Sequence, residues 1–333
     1  MNVCVHPRGS YGRVLSGYGG IRMADGIEKT SKKSRLYTNP TVLLLCLNSF
    51  VVSLGFGLAQ PILPFFLLAL EGKIDQSPGP DYMVPAEAVA QFALILGLLL
   101  SGFMTSRMLL SRYFGGLSDE KGRRPLIVGG LIGYCCIFFL LGLSRSWIDL
   151  FLLRFALGAC SAAVWPTVQA AMIDVVGEGR RGEGMGLNVL AMQLGWYGGP
   201  TIGAIVYAFS RDVLELPVPL VFRIPYFFAA LITLPAPILT YRFLKVSKPK
   251  ERAPPLLLHN KSLSGDTLRP KSTRISNQMD TKTKRQIKAL YILFIANGIS
   301  MGLAMPLFQL YLMSRITSDI VTIGLLTSGA GMV

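Results

Sequence analysis

Long apolar runs separated by short polar turns recur along the chain at 41–70, 88–111, 125–143, 148–176, 184–209, 218–243 and 289–312, and an eighth begins near 320. A helix crosses the hydrocarbon layer in about 20 residues, so each run is long enough to span a bilayer. Some are longer than that, which implies tilt or protrusion. Gly55, Gly57, Pro61, Pro64, Pro166 and Pro200 lie inside these runs. They would break helices in water, but lipid leaves the backbone no other way to satisfy its hydrogen bonds. The pattern predicts an all-α, polytopic helical membrane protein.

Two polar stretches divide the chain. Residues 1–36 hold seven Lys or Arg and two acids, without the apolar core of a signal peptide, and predict a disordered basic tail. Met23 is an alternative start within it. Residues 245–288 hold Pro249, Pro254 and Pro255, twelve Lys or Arg and three acids, and predict a linker. The expected organisation is therefore a tail (1–36), a six-helix bundle (37–244), a basic linker (245–288) and the start of a second bundle (289–333). Gly57-Leu58-Ala59-Gln60-Pro61 in the first run reappears in the seventh as Gly302-Leu303-Ala304-Met305-Pro306, at the same depth. That repeat points to two related halves. Val333 falls fourteen residues into the eighth run. Twelve spans need roughly 400 residues, so the chain is expected to be unfinished in its second half.

Composition changes the meaning of the charge. The chain is 51% hydrophobic and only 15% charged, with a net charge of +15; soluble domains carry about 25% charged residues. A basic excess in a soluble protein points to nucleic acid, but hydropathy removes that reading. Twenty-seven of the thirty-three Lys and Arg lie in the tail, the 2–3 and 4–5 loops, and the linker with its flanks. Lys73, Arg145, Arg211, Arg223 and Arg315 lie on the other side, and Arg154 is left inside the fourth run. The asymmetry places both ends of the first bundle in the cytoplasm and favours anionic lipid at that face. Cys4, Cys46, Cys135, Cys136 and Cys160 show no zinc-like spacing with His6 or His259. No metal or cofactor is expected. A membrane enzyme would need a nucleophile–base pair or a carboxylate dyad in the spans, and none is present.

Four short motifs carry candidate chemistry. The 2–3 loop reads Gly115-Gly116-Leu117-Ser118-Asp119-Glu120-Lys121-Gly122-Arg123-Arg124-Pro125, in which Asp119 and Arg123 can meet across a glycine turn. A merely positive cytoplasmic loop accounts for its composition equally well. The first run contains Leu54-Gly55, then Pro61-Ile62-Leu63-Pro64. The fourth contains Leu150, Arg154 and Gly158 at four-residue spacing, and the fifth contains Gly195, Gly199, Pro200 and Gly203. Glycines four apart make a smooth face that a second helix can approach closely, and Pro200 removes a backbone donor.

Together, in this order, the motifs resemble those of the major facilitator superfamily, in particular its twelve-helix drug/proton antiporters. Glu120 stands where a basic residue is usual, and Leu157 where Gln is usual. The resemblance implies a secondary transporter moving small organic molecules by alternating access, exporting them against protons. Uptake of a metabolite or sugar, and a truncated product without transport, are the alternatives. The resemblance also implies a part for Arg154 in proton coupling. Arg154 lies seven residues past Trp147, roughly 10 Å deep at helical rise, where it faces a cavity or snorkels outward. Asp174, twenty residues further on, is the expected partner of Arg123. An Asp119–Arg123–Asp174 cluster is either a gate that loosens on protonation or a plain interfacial ion pair.

Polar and aromatic residues within runs are the candidate substrate cavity: Asn48, Gln60, Gln91, Trp165, Gln169, Gln193, Trp196, Asn297 and Gln309. They describe a weakly polar space suited to amphipathic compounds. Spans one to six contain no Asp or Glu near mid-membrane, which leaves the proton-binding group unassigned. Gly177-Glu178-Gly179-Arg180-Arg181-Gly182 matches a dinucleotide-binding string, but it has no strand before it and Thr201 where the acid belongs. It is expected to be a cytoplasmic turn. The expected molecule is an integral, multi-pass protein of the plasma or cytoplasmic membrane, monomeric if complete.

Overall fold

The structure, a computed structural model, describes residues 36–79, 84, 86–244 and 308–330, with isolated positions between 285 and 293. The tail up to Arg35, nearly all of the linker, Asn297 and the second copy of the repeat lie outside the described residues. The main helices are α1 (Pro40–Ala59), α2 (Leu63–Leu70), α3 (Ala86–Lys121), α4 (Arg123–Gly142), α5 (Trp147–Val176), α6 (Arg181–Asp212), α7 (Leu220–Thr233), α8 (Pro235–Phe243) and α9 (Ile320–Ala330). The described residues contain no strand.

Local chemistry sets the helix ends. Asn39 caps α1 by accepting the Thr41 N–H at 3.0 Å, and Pro40 takes the first turn, where no donor is needed. Ser146 and Asp149 form a reciprocal capping box at the start of α5. The first apolar run is two helices rather than one. Pro61 offers no N–H, the Gln60 amide turns back to the Gly57 carbonyl at 3.2 Å, and the helix resumes at Leu63. The sixth run divides likewise at Leu234, before Pro235. α3 runs on to Lys121 instead of ending near 111, so Arg107 and Arg112 sit on a helix, not in a loop. Gly122 ends it with φ of 94°, a backbone region costly for any residue with a Cβ.

Among the described residues, five helices are long and apolar enough to cross a membrane: Pro40–Ala59, Ala90–Lys121, Arg123–Gly142, Trp147–Val176 and Leu220–Phe243. α3 turns Leu94, Met104, Met108 and Leu109 outward, as a lipid-facing helix does, whereas α1 is buried along most of its length. α6, with 32 residues, is long enough to span but richer in glycine and polar groups. It packs against α1 on one side and α9 on the other, so protein rather than lipid covers much of it.

The faces of α6 are specialised. A Cβ at Gly199 would lie 2.7 Å from the Leu58 amide nitrogen. One at Gly195 would run into the Phe50 carbonyl, and one at Gly203 into the Leu58 carbonyl. These contacts are with backbone, which cannot swing aside. Pro200 cannot donate to the Trp196 carbonyl, and a Cβ at Gly57 would lie 2.7 Å from that oxygen. The glycine on α1 thus lets the backbone close over a carbonyl that proline has left without its helical donor. On another face, Gly324 of α9 approaches the Pro200 carbonyl and Ala204, and the Thr201 hydroxyl donates to Ser328 Oγ at 2.8 Å.

Candidate functional site

The groups singled out in the sequence separate into two ends and a middle. At the α3–α4 turn, Arg123 pairs with Asp119 at 2.7 Å and, through Nε, with Asp174 at 3.2 Å. Its Nη1 also donates to Ser118 Oγ at 2.8 Å. The turn works because Gly122 alone separates the end of α3 from the start of α4, while its N–H donates to the Ser118 carbonyl. Arg123 is buried, Asp174 is near the boundary of exposure and Asp119 is open to solvent. Arg124 reaches across to the end of α8, where it donates to the Tyr241 carbonyl and stacks 4.9 Å from the Tyr241 ring. Leu117 is half-buried beside Ser118. No neighbour would meet a Cβ on Gly115, so its place in the motif has no steric cause in this conformation.

In the middle lies Arg154, 1% exposed, which excludes snorkelling. Its guanidinium sits 5.5 Å from the Phe56 ring. Nε and Nη2 have no hydrogen-bond partner, and the Tyr226 hydroxyl lies beside it without closing one. No carboxylate reaches Arg154 among the described residues. Phe56 in turn stacks on Trp196 at 5.0 Å and tilts against Phe103 at 4.9 Å. The arginine therefore lies beneath an aromatic layer inside the first bundle. Gly158, one turn further along α5, lets Phe103 and Ser106 of α3 come close. Gly55 stands against Phe138 and Thr233, and Pro61 and Pro64 are buried at the break after α1.

The predicted cavity residues do not form one group. Asn48 is fully buried and accepts from the Thr240 hydroxyl at 3.0 Å, which ties α1 to α8. Gln309 donates to the Gln60 carbonyl at 3.2 Å, so these two join the halves at the proline break. Gln91 is exposed near the start of α3. Trp165 and Gln169 of α5, and Gln193 and Trp196 of α6, are half-buried, with Gln193 donating to the Tyr197 hydroxyl at 3.2 Å. Arg107, assigned to the loop by sequence, instead lies 5.8 Å from the Trp165 ring and beside Gly158 near the middle of α5. Its signal was its distance from Asp119, a twelve-residue offset or about 18 Å along one helix. The Gly177–Gly182 string is a tight turn, with Gly177 at φ 78° and α6 beginning at Arg181.

At the far end from Asp119, Arg211 and Tyr207 of α6, Pro78 and Asp319 converge. Sequence reasoning passed over this cluster because its members lie in separate stretches of chain. The described residues contain no group of His, Cys, Asp and Glu placed to hold a metal.

Packed apolar helices, α6 lying between α1 and α9, and ionic clusters at both ends define a multi-pass helical membrane protein. A family model described as the Major Facilitator Superfamily matches residues 45–333. The chain belongs to that superfamily, whose members are transporters and not enzymes. Similar curated proteins include Multidrug resistance protein 2 of Bacillus subtilis (strain 168), 28% identical over 231 residues, 69% of this chain and 50% of that protein. Quinolone resistance protein NorA of Staphylococcus aureus (strain MRSA252) is 27% identical over 191 residues, 57% of this chain and 42% of that protein. The chain spans about half the length of these relatives. Among solved structures, a bacterial homologue of the human lysosomal transporter Spinster, inward-facing and unoccupied, matches with a TM-score of 0.50 and 15% identity. The match covers 86% of this chain and 60% of that one, and it shows the shared fold.

Proposed function

We propose that this protein is a secondary active transporter that exports small organic molecules by alternating access, in exchange for protons. The observation that carries the reading is Arg154, a buried cation without a counter-ion among the described residues. A charge inside a span costs up to about 2.5–3.5 kcal/mol even on insertion scales and is kept where it works. Here it lies under Phe56 and Trp196, between an ionic cluster at one end and the contact between halves at the other. Anything that changes the charge near Arg154 alters the cost of keeping it buried, which links charge movement to the packing of α1, α5 and α6. The names of the relatives, a multidrug resistance and a quinolone resistance protein, support export of organic compounds.

In this reading the Asp119 end faces the cytoplasm, as the distribution of basic residues implies. The basic tail, turns and linker there also attract anionic lipid. The Asp119–Arg123–Asp174 cluster is the cytoplasmic gate. Its Arg123 holds α3, α4 and α5 together, and protonating either carboxylate weakens that hold. The test is dye efflux and drug tolerance in cells lacking their own pumps, expressing the protein or its Arg154→Ala or Asp119→Asn variants. Export by the parent and its loss in both variants is the expected result. Equal tolerance in all three and in empty cells refutes it. Counterflow in vesicles with either gradient direction separates export from uptake.

A further inference from the structure

At the end opposite Asp119, one side chain holds three parts of the chain together. Arg211, in the last turn of α6, donates from Nε and Nη2 to Asp212 at 2.6 and 3.0 Å and from Nη1 to the Pro78 carbonyl at 2.9 Å. The Tyr207 hydroxyl donates to the same carbonyl at 2.9 Å, with its ring 5.8 Å from the guanidinium. Pro78, Tyr207, Arg211 and Asp212 all belong to the first bundle. The remaining partner does not. Asp319, just before α9, places Oδ1 3.7 Å from Arg211 Nη1. Beside it the Val84 N–H donates to Ser318 Oγ at 2.9 Å, a second contact between the halves.

Asp319 is 6% exposed, and its two oxygens have different work. Oδ2 accepts from the Thr322 N–H at 3.0 Å and from the Thr322 hydroxyl at 2.8 Å, which caps α9. Among the described residues, Oδ1 accepts no hydrogen bond and pairs with the Arg211 guanidinium. We propose that Asp319 is a proton-binding site, and that a proton on its Oδ1 releases the second half from Arg211 and lets this end open. The proposal rests on the alternating-access reading above, with this end facing outward.

The geometry makes such a release local. A proton taken from the outer solution converts the carboxylate to a neutral acid at the oxygen that caps nothing. Oδ2 keeps both Thr322 bonds, so α9 stays capped. Arg211 keeps Asp212 and the Pro78 carbonyl, so its charge is not stranded. Of the contacts made by Asp319 and Arg211, only the pair between them is lost. The charged and titratable groups around Asp319 among the described residues are Arg211, Asp212 and Tyr207, all from α6; the 71–84 segment adds only the Pro78 carbonyl and the Val84 amide, and α9 adds Thr322. Ionised Asp319 is paired only when the end is shut. A proton on Oδ1 therefore costs the shut state an attraction that the open state does not have. An outward-opening step driven by protons from outside is what exchange against protons requires, and Asp319 fills the role that spans one to six leave vacant.

The test is the distance between spin labels at Lys73→Cys and Arg315→Cys, exposed positions on the two halves. The five native cysteines are replaced by serine and the protein is reconstituted in lipid nanodiscs. Lowering the pH from about 8 to about 4.5 is expected to raise the long-distance fraction severalfold. Asp319→Asn is expected to show the long distance at both pH values, Asp319→Glu to restore the pH response, and Arg211→Gln to widen the mouth at either pH. A parent whose distances ignore pH, or an Asp319→Asn protein that still follows it, overturns the proposal. If either result comes with intact efflux, the latch fails while the transport reading stands. A pH-driven opening in a protein without efflux does the reverse, supporting the latch and removing the transport reading.

Discussion

Arg123 and Arg211 each hold two carboxylates and an uncharged oxygen, yet they do opposite structural work. Arg123 bonds within one bundle: Ser118, Asp119 and Asp174 all come from the first half. Arg211 keeps Asp212 and Pro78 at home and reaches Asp319 in the second half. The exposure of the acids is also reversed. The Asp119 side chain is 64% exposed and screened by water, whereas that of Asp319 is 8% exposed and screened little. The Arg123 pairs tie helices of one bundle to each other at one end, whereas the Arg211–Asp319 pair ties one half to the other at the opposite end.

The largest effect should come from removing what supports the Arg211 end. Gly199→Leu places a branched side chain against the Leu58 backbone, and overpacking of that kind costs about 1–3 kcal/mol or more. Loss of the monodisperse peak in fluorescence-detected size-exclusion chromatography is expected, while Gly198→Leu, with open space around it, should keep that peak. Next comes Arg123→Ala, which strips a buried donor from two carboxylates. Removing a hydrogen-bond partner of a charged group costs about 1.5–3 kcal/mol, so dye efflux should fall by about tenfold or more, with the Lys73–Arg315 distance unchanged. An Arg123→Ala protein that widened that distance would erase the contrast between the two ends.

A smaller effect is expected from a double-mutant cycle on Arg123 and Asp174, read as thermal stability in detergent. Asp174 is 35% exposed on its side chain, so water screens the pair and the coupling should be about 0.5 kcal/mol. The smallest is Gly115→Ala. With no neighbour within 4 Å it should leave the melting temperature unchanged, and lost efflux at unchanged stability would show that the glycine serves a different conformation.

The spans were legible because lipid demands long apolar helices whatever the tertiary detail. The Asp119–Arg123–Asp174 meeting was legible too, since a glycine turn and a twenty-residue helix spacing fix where those side chains arrive. Residue type was a poor guide elsewhere. Asn48 looked like cavity lining but spends its carbonyl oxygen on Thr240, because a buried amide takes whatever partner packing supplies. Arg107 read as loop because basic residues usually flank spans, and only the length of α3 reveals its depth. Asp319 had no motif at all. Its importance comes from meeting α6 across more than a hundred residues of chain, a relation that no local pattern encodes.

A Cβ at Gly324 would meet Ala204 and the Pro200 carbonyl, so α6 and α9 already touch there through backbone. That point lies five residues, about 7.5 Å, along α9 from Asp319 and eleven residues, about 16 Å, along α6 from Arg211. Helices in backbone contact cannot be pressed closer, so at this point any relative motion must part or roll them. Gly324 is thus the fulcrum that the two helices share, and a bulkier residue there would prise them apart whatever the state of the Asp319–Arg211 pair.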